Sequence, residues 1–235
     1  MRPRTPVIDV LRPAVHAACR AYFRLQLRGT RNIPREGPLL IVPNHQTYAD
    51  PPLVTIPVRR RVYYMAWSRL FDIPVFNRFI RMLRAFPVDI DARDSRATRE
   101  AVRLLQRGAA LMIFPEGERT ADGRLQRFKP GAFRLAVSLG VPILPVTIVG
   151  GNDSWPPGRL LPRRGRITIT YHPPLRAVST LGSRIAARDL ADRTRAAILS
   201  AMPGRPAEAP EPGWTGTLDR DARPAADQEP RSSTE

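Results

Sequence analysis

The chain is poor in cysteine, since Cys19 is the only one among its 235 residues. One thiol cannot form an internal disulfide or a cysteine metal site, so both means of stabilising a fold are excluded. The fold must instead depend on a hydrophobic core, and 43% apolar residues in 26.3 kDa suffice for one domain of ordinary size. This cysteine content leads us to expect a protein that faces the cytosol.

Long apolar runs are missing as well. No stretch approaches the roughly twenty apolar residues that a membrane-spanning helix needs, and the first four residues are not followed by the apolar core of a signal peptide. We therefore expect no transmembrane helix and no signal peptide. A protein of this kind can still lie on the surface of a membrane.

Lysine is nearly absent, because Lys129 is the only one and the other 37 basic residues are arginine. Acids are too few to balance them, and the formal net charge is +17. Residues 203–235 reverse this bias with seven acids and four arginines, and their richness in Pro and Ala predicts a disordered tail. The part before residue 203 is thus strongly basic. It is expected to attract nucleic acid, anionic lipid or phosphorylated substrates, and composition does not choose among them.

Residues 1–28 are predicted to form a basic amphipathic helix followed by the first strand. Apolar residues between Pro6 and Ala21 follow helical spacing, while Arg12, His16 and Arg20 recur every fourth residue on the opposite side. The pattern fits a helix that lies on an anionic lipid surface. It fits equally a helix packed on its own domain with a solvated basic face.

A second basic segment lies between Trp67 and Leu83, where aromatic and apolar residues are interleaved with arginines. Such a mixture suits the boundary between protein and lipid headgroups. The alternative interpretation is a helix packed on the core with its basic face in water.

Residues 29–202 are predicted to form an α/β domain, a mixed central sheet flanked by helices, because apolar strand patterns alternate with helical ones. Leu39–Val42 and Ala110–Phe114 are continuous apolar runs, as in strands buried on both faces. Val141–Val149 is a further strand, whose two prolines favour an edge or irregular position. Two of these strands run directly into polar motifs, and ligands in such sheets bind at the carboxyl ends of strands.

The first motif, Asn-His-Gln-Thr-Tyr-Ala-Asp at 44–50, sets His45 five positions before Asp50. An imidazole can take a proton from an alcohol near neutral pH when its other ring nitrogen is held by a carboxylate. Pro51 and Pro52 follow directly, so we predict that Asp50 caps the next helix at its N-terminus. The pair suggests acyl transfer, although a surface loop with a proline turn has the same residues.

Two further motifs follow in order, Phe-Pro-Glu-Gly-Glu-Arg-Thr at 114–120 and Val-Pro-Ile-Leu-Pro-Val at 141–146. With the motif at 44–50, they make the chain resemble the lysophosphatidate and glycerolphosphate acyltransferase family. That family has an NH-four-residues-D block, an F-P-E-G-T-R-S type block and a V-P-I-x-P-V strand. The resemblance covers about residues 29–170 and includes the order and spacing of the blocks.

The resemblance implies a reaction and a mechanism. An acyl group moves from acyl-CoA or acyl carrier protein to the free hydroxyl of 1-acyl-sn-glycerol 3-phosphate, and phosphatidate is formed. His45 is implied to be the general base and Asp50 to orient it, with no covalent intermediate. The absence of a G-x-S-x-G elbow agrees with this, since no serine nucleophile is needed.

The resemblance also implies the partners and the binding residues. The enzyme is expected to need no cofactor and no metal, and to work as a peripheral protein on the cytoplasmic face of an anionic membrane. Arg119 is a candidate phosphate ligand because guanidinium donors can engage two oxygens at once. The implied substrate-binding residues are Asn44, Glu116, Gly117, Arg119 and Lys129.

The chain departs from the family pattern in two places. Glu118 stands where the second block has Thr, and the family's G-x-x-x-V-D-R block reads Arg-Ala-Phe-Pro-Val-Asp-Ile at 84–90. The block therefore lacks its Gly and, at Ile90, its Arg. Another arginine is expected to replace this charge; Arg84 is our candidate binding residue, and the others are Arg81 and Arg93.

Three alternative functions remain. The acceptor can be another lysolipid or an aminolipid. A basic nucleic-acid-binding module would explain the charge but not the motifs at 44–50 and 114–120. A metal-dependent hydrolase is the weakest alternative, because His16, His45 and His172 lie in separate elements without a carboxylate cluster.

Overall fold

The computed structural model describes residues 6–82, 84–89, 95–159, 161–178, 180 and 182–203. The predicted tail beyond residue 203, together with Ile90 and Arg93, lies outside this set.

A mixed sheet of seven strands forms the centre of the described fold, in the order β1-β7-β6-β2-β5-β3-β4. The five strands from β6 to β4 are parallel, whereas β7 runs antiparallel to β6 and parallel to β1. The predicted mixed α/β sheet is thus confirmed. The strands are β1 Gln26–Arg28, β2 Leu39–Pro43, β3 Val62–Trp67, β4 Ala85–Val88, β5 Ala110–Met112, β6 Ile143–Val149 and β7 Thr168–Tyr171.

Helices cover both faces of this sheet. One core cluster contains residues from α2 and the end of α1, and the other contains residues from α4, α5 and α7. Short 3-10 turns cover Thr30–Asn32 and Ser68–Asp72. The helices are α1 Pro6–Phe23, α2 Asp50–Thr55, α3 Pro74–Met82, α4 Ser95–Gln106, α5 Gly131–Leu139, α6 Gly151–Ser154 and α7 Ser183–Leu199.

The strand β2 shows why a continuous apolar run is needed at the centre of the sheet. Side chains of a strand point alternately to opposite faces. Leu39 and Ile41 accordingly pack in one core cluster, Leu40 and Val42 pack in the other, and all four are fully buried. Because β2 lies between β6 and β5, it is a rigid base for the loop that follows it.

The two prolines of the predicted strand at 141–149 do not place it at an edge, so that expectation was wrong. The strand β6 lies between β7 and β2, and Pro145 is aligned with Val42 of β2. Proline lacks only the N–H, and its carbonyl oxygen still accepts a hydrogen bond from the His172 backbone at 3.0 Å.

The N-terminal helix α1 is little covered by its own domain in the part whose side chains are described, residues 13–23. Val15 is 46% exposed and Ala14 and Ala18 are exposed, whereas Phe23 at the end of α1 is buried in the core. The helix continues further than predicted, so β1 is only three residues long. None of the helices in the described part of the chain has both the length and the apolar character needed to cross a membrane.

Gly29 lies in the turn after β1, and its close approach to Tyr171 can be tested directly. Its φ of +66° is unfavourable for other residues, and an added Cβ would overlap the carbonyl oxygen of Tyr171. Gly37 is a matched control with φ of +77° and nothing within 4 Å of an added Cβ. We expect Gly37→Ala to lower the free energy of unfolding by about 1 kcal/mol and Gly29→Ala by about 3 kcal/mol. Urea denaturation measures both, and equal losses would contradict the close approach to Tyr171.

Candidate active site

The two polar motifs meet at one edge of the sheet. The loop after β2 carries His45, and the loop after β5 carries Glu116 and Arg119. Because β2 and β5 are neighbouring parallel strands, both loops leave the sheet at its carboxyl edge. The backbone N–H of Thr120 donates to the carbonyl oxygen of His45 at 2.9 Å, which joins the loops directly.

The carboxylate of Asp50 is a buried acceptor for the whole first loop. Its Oδ2 lies 2.9 Å from Nδ1 of His45 and also accepts the backbone N–H groups of Gln46 and Thr47, at 2.5 and 2.7 Å. Its Oδ1 accepts the hydroxyl of Thr47 at 2.8 Å. With 1% exposure, Asp50 has exchanged water for these four donors. The imidazole is thereby fixed to the same group that fixes its own loop.

The prediction that Asp50 is the N-cap of the next helix was wrong by one position. The helix α2 begins at Asp50, and Ala49 is the capping residue. An N-cap carboxylate accepts N–H groups from the second or third helical position. With Asp50 as cap, the second position would be Pro52, which has no N–H, and the N–H of Leu53 already donates to the carbonyl of Ala49 at 3.0 Å. The carboxylate therefore turns back to the loop.

The imidazole of His45 is held so that one nitrogen remains available. Since Nδ1 faces a carboxylate oxygen, the proton of the neutral ring lies on Nδ1 and the lone pair lies on Nε2. The ring of Phe114 stacks on it, with centroids 3.9 Å apart. Among the described residues Nε2 has no hydrogen-bond partner, and the side chain is 18% exposed. This geometry can accept a proton from a bound hydroxyl.

Glu116 joins the two loops through both of its carboxylate oxygens. Its Oε1 accepts the backbone N–H of His45, and its Oε2 accepts that of Gln126, each at 2.8 Å. The side chain is 3% exposed. Burial raises the pKa of Glu116 to about 7, although the two backbone donors oppose this rise. In this arrangement both oxygens bind the protein's own backbone, whereas the sequence led us to expect a substrate contact.

Two amide side chains attach the first loop to β6 and α6. Asn44 donates to the carbonyl oxygen of Ile148 at 2.9 Å and accepts the N–H of the same residue at 2.7 Å. Its side chain thus continues the hydrogen bonding between β2 and β6 beyond the end of β2. Gln46 accepts the N–H of Gly151 at 2.8 Å. The sequence suggested a substrate role for Asn44 and none for Gln46. No sequence pattern distinguishes such internal contacts, because the partners are more than 100 residues away.

Two cationic side chains belong to the loops around Gly117. The guanidinium of Arg119 donates through Nη2 to the hydroxyl of Tyr48 at 2.8 Å, while its buried Nη1 has no hydrogen-bond partner among the described residues. The side chain of Lys129 lies over Gly117, where an added Cβ would come within 2.6 Å of Nζ. With φ of +79°, this position favours glycine for both reasons. A lysine over this turn and an arginine two residues after it form a suitable site for an anion.

Arg84 is not brought to this edge of the sheet. It lies directly before β4, whose first residue Ala85 is aligned with Tyr64 of β3, which is itself aligned with Met112 of β5. That level is the middle of the sheet, and β4 is three strands away from β2. The structure therefore separates Arg84 from His45, contrary to the expectation from the sequence.

Arg81, another candidate for the missing charge, has its contacts elsewhere. Arg81 donates to the side chain of Asn77 at 2.6 Å and lies over the ring of Phe71. Arg93 is outside the described residues. Arg119 and Lys129 are thus the predicted binding cations that the structure places next to the motif loops.

The chain is similar to known acyltransferases. A family model described as Acyltransferase matches residues 24–149, which contain both motif loops. The chloroplastic 1-acyl-sn-glycerol-3-phosphate acyltransferase BAT2 of Brassica napus is 30% identical over 159 residues, 66% of this chain and 46% of that protein. The chloroplastic 1-acyl-sn-glycerol-3-phosphate acyltransferase LPAT1 of Arabidopsis thaliana is 28% identical over 158 residues, 66% of this chain and 44% of that protein. The chain thus spans about half the length of these relatives.

A solved structure has the same fold. It is the 1-acyl-sn-glycerophosphate (LPA) acyltransferase PlsC of Thermotoga maritima, with a TM-score of 0.60 and 26% identity. The match covers 87% of this chain and 86% of that one. The similarity therefore extends beyond the region that the family model covers.

The buried carboxyl of Glu116 predicts a pH dependence of stability. Its folded pKa of about 7 lies above the ordinary 4.5, so the folded state binds the proton more tightly. The resulting stabilisation is complete at low pH and is lost as the pH rises from 4.5 to 7. We expect the unfolding free energy of the wild type, relative to that of Glu116→Gln, to fall across this window. Urea denaturation at several pH values measures it, and a constant difference would contradict the assignment.

Proposed function

Because the chain belongs to the acyltransferase family, we propose that it is a 1-acyl-sn-glycerol-3-phosphate O-acyltransferase, which converts its acceptor to phosphatidate. The observation that carries the proposal is the 2.9 Å contact between Nδ1 of His45 and Oδ2 of Asp50, which leaves Nε2 for the acceptor hydroxyl. The activities named for the relatives from Brassica napus, Arabidopsis thaliana and Thermotoga maritima support the choice of acceptor.

In this mechanism His45 moves one proton and the thioester supplies the acyl group. Nε2 takes the proton of the acceptor hydroxyl while the hydroxyl oxygen forms a bond to the thioester carbonyl carbon. The tetrahedral intermediate then breaks its carbon–sulfur bond, and the departing sulfur receives the proton from Nε2. The products are an ester and a free thiol. Asp50 stabilises the imidazolium through Nδ1, and no covalent enzyme intermediate forms.

The phosphate of the acceptor is bound at the Gly117 turn. Among the described residues, Nη1 of Arg119 has no hydrogen-bond partner, and guanidinium donors match phosphate oxygens in geometry as well as charge. Lys129 adds a point charge over Gly117. Acceptors that lack a phosphate would leave these two cations without a counterion, which favours 1-acylglycerol 3-phosphate over neutral lysolipids.

The acyl donor is acyl-CoA or acyl carrier protein, both of which are anionic and suit the basic chain. We propose that the enzyme meets its lipid substrate as a peripheral protein on an anionic membrane. Val15 on α1 is exposed, and so are Trp67, the last residue of β3, and Ile73, which follows the next 3-10 turn. Since β3 is parallel to β5, which is parallel to β2, Trp67 lies toward the same sheet edge as His45.

The central experiment is an assay of the purified protein with acyl-CoA and a panel of lysolipids, in which thiol release and lipid product are both measured. We expect turnover with 1-acylglycerol 3-phosphate and a fall of about 10²–10⁴-fold in kcat for His45→Ala. Asp50→Asn is expected to lose most of this activity too, because an amide offers one acceptor oxygen in place of two. Thermal unfolding of each variant shows whether the fold is intact.

Two outcomes of this assay would revise the proposal. Acyl transfer by folded His45→Ala at the wild-type rate would exclude His45 as the general base. Turnover confined to a different lysolipid or to an aminolipid would leave the proposed mechanism unchanged and would change the identity of the acceptor.

Membrane contact through α1 is testable with vesicles. We expect the full chain to co-sediment with vesicles that contain phosphatidylglycerol more than with pure phosphatidylcholine. Val15→Asp is expected to weaken this binding about tenfold, since burial of one valine is lost. Ile185→Asp is the matched control, because Ile185 is 61% exposed on α7, which packs on the other face of the sheet. Equal binding by both variants would exclude α1 as the contact.

A further inference from the structure

Tyr48 lies inside the first motif but takes no part in the contact between His45 and Asp50. Its side chain is 47% exposed and points to the second loop, where its hydroxyl accepts the hydrogen bond from Nη2 of Arg119. The guanidinium carbon of Arg119 also lies 3.6 Å from the centroid of the Tyr48 ring. One tyrosine thus contacts this guanidinium through both its ring and its hydroxyl.

Tyr48 also contacts a second aromatic residue. The ring of Trp155, directly after α6, lies 6.3 Å from the ring of Tyr48 at an angle of 65°. The indole N–H of Trp155 donates to the carbonyl oxygen of Arg159 at 2.8 Å, so Trp155 is itself held in place. Two aromatic rings from separate parts of the chain are therefore in contact, and one of them, Tyr48, also contacts Arg119.

The contact with Tyr48 determines how Arg119 can bind an anion. A guanidinium donates hydrogen bonds from its edge, whereas its faces are suited to stacking on aromatic rings. Contact with Tyr48 therefore uses one face and one donor of Arg119, and the buried Nη1 has no hydrogen-bond partner among the described residues. A long side chain that is already fixed loses less conformational entropy when the ligand arrives. Tyr48 thus preorganises the cation for an oxyanion.

We propose that Tyr48, supported by Trp155, is a positioning residue that fixes Arg119 for the phosphate of the acceptor and thereby sets the preference for lysolipids with a phosphate monoester. This inference rests on the proposed function, which places the acceptor phosphate at Arg119. It adds a residue of the first motif to the determinants of acceptor choice. The base contact of His45 does not depend on it.

The test compares two acceptors that differ only in the phosphate, 1-acylglycerol 3-phosphate and 1-monoacylglycerol. We expect Tyr48→Leu to raise KM for the phosphorylated acceptor about tenfold with kcat within about twofold, and to leave both constants for monoacylglycerol unchanged. Tyr48→Phe keeps the ring and loses the hydroxyl, so its KM should rise only about threefold. In an Arg119→Ala background, Tyr48→Leu should have no further effect, because its role is exercised through Arg119.

Direct binding separates this inference from the proposed function. Calorimetric titration of 1-acylglycerol 3-phosphate into the full chain without acyl donor needs no turnover. Binding by the wild type without any acyl transfer would refute the proposed function, and weaker binding by Tyr48→Leu would still support the role of Tyr48. Undiminished binding by folded Tyr48→Leu, an equal rise in KM for both acceptors, or an effect that persists in the Arg119→Ala background would each overturn the inference. No binding by the wild type would overturn both.

Discussion

The buried carboxylate of Asp50 is the group on which the rest of the site depends. It accepts four donors from its own loop, and one of them is Nδ1 of His45. Buried carboxylates are stable only when such donors replace water. Loss of any donor would therefore disturb the loop and the base together. The orientation of the imidazole is a property of the whole motif and not of one contact.

A second buried carboxylate, that of Glu116, connects this loop to the loop after β5. Glu116 holds the backbone of His45 and that of Gln126, so the base and the Gly117 turn are set at a fixed relative position. Burial dominates the raised pKa of Glu116, and the negative charge of Asp50 adds to it. The negative charges of the two carboxylates thus repel each other, while the hydrogen bonds of both carboxylates hold the same loop in place. Both acids lie in segments that follow β2 and β5, so two central strands of the sheet support them.

The sequence predicts those features that arise from local patterns. The apolar runs before residues 44 and 114 identify two buried strands, and the spacing of His45 and Asp50 identifies the pair. It does not predict the central place of β6 or the displaced position of Arg84, because strand order depends on pairing between distant segments. The contact of Tyr48 with Arg119 joins residues 71 positions apart. Local turn rules predict Asp50 to be a helix cap because they do not consider hydrogen-bond donors in the loop that precedes it.

The unpartnered Nη1 of Arg119 has a cost for the protein without its substrate. A buried donor that lacks an acceptor destabilises a fold by about 1–3 kcal/mol, a sizeable share of the 5–15 kcal/mol that holds a typical domain together. An apolar residue at this position would relieve that cost and abolish the anion site. The empty enzyme is thus less stable than its sequence could make it, and part of the affinity for an oxyanion is the relief of this internal frustration.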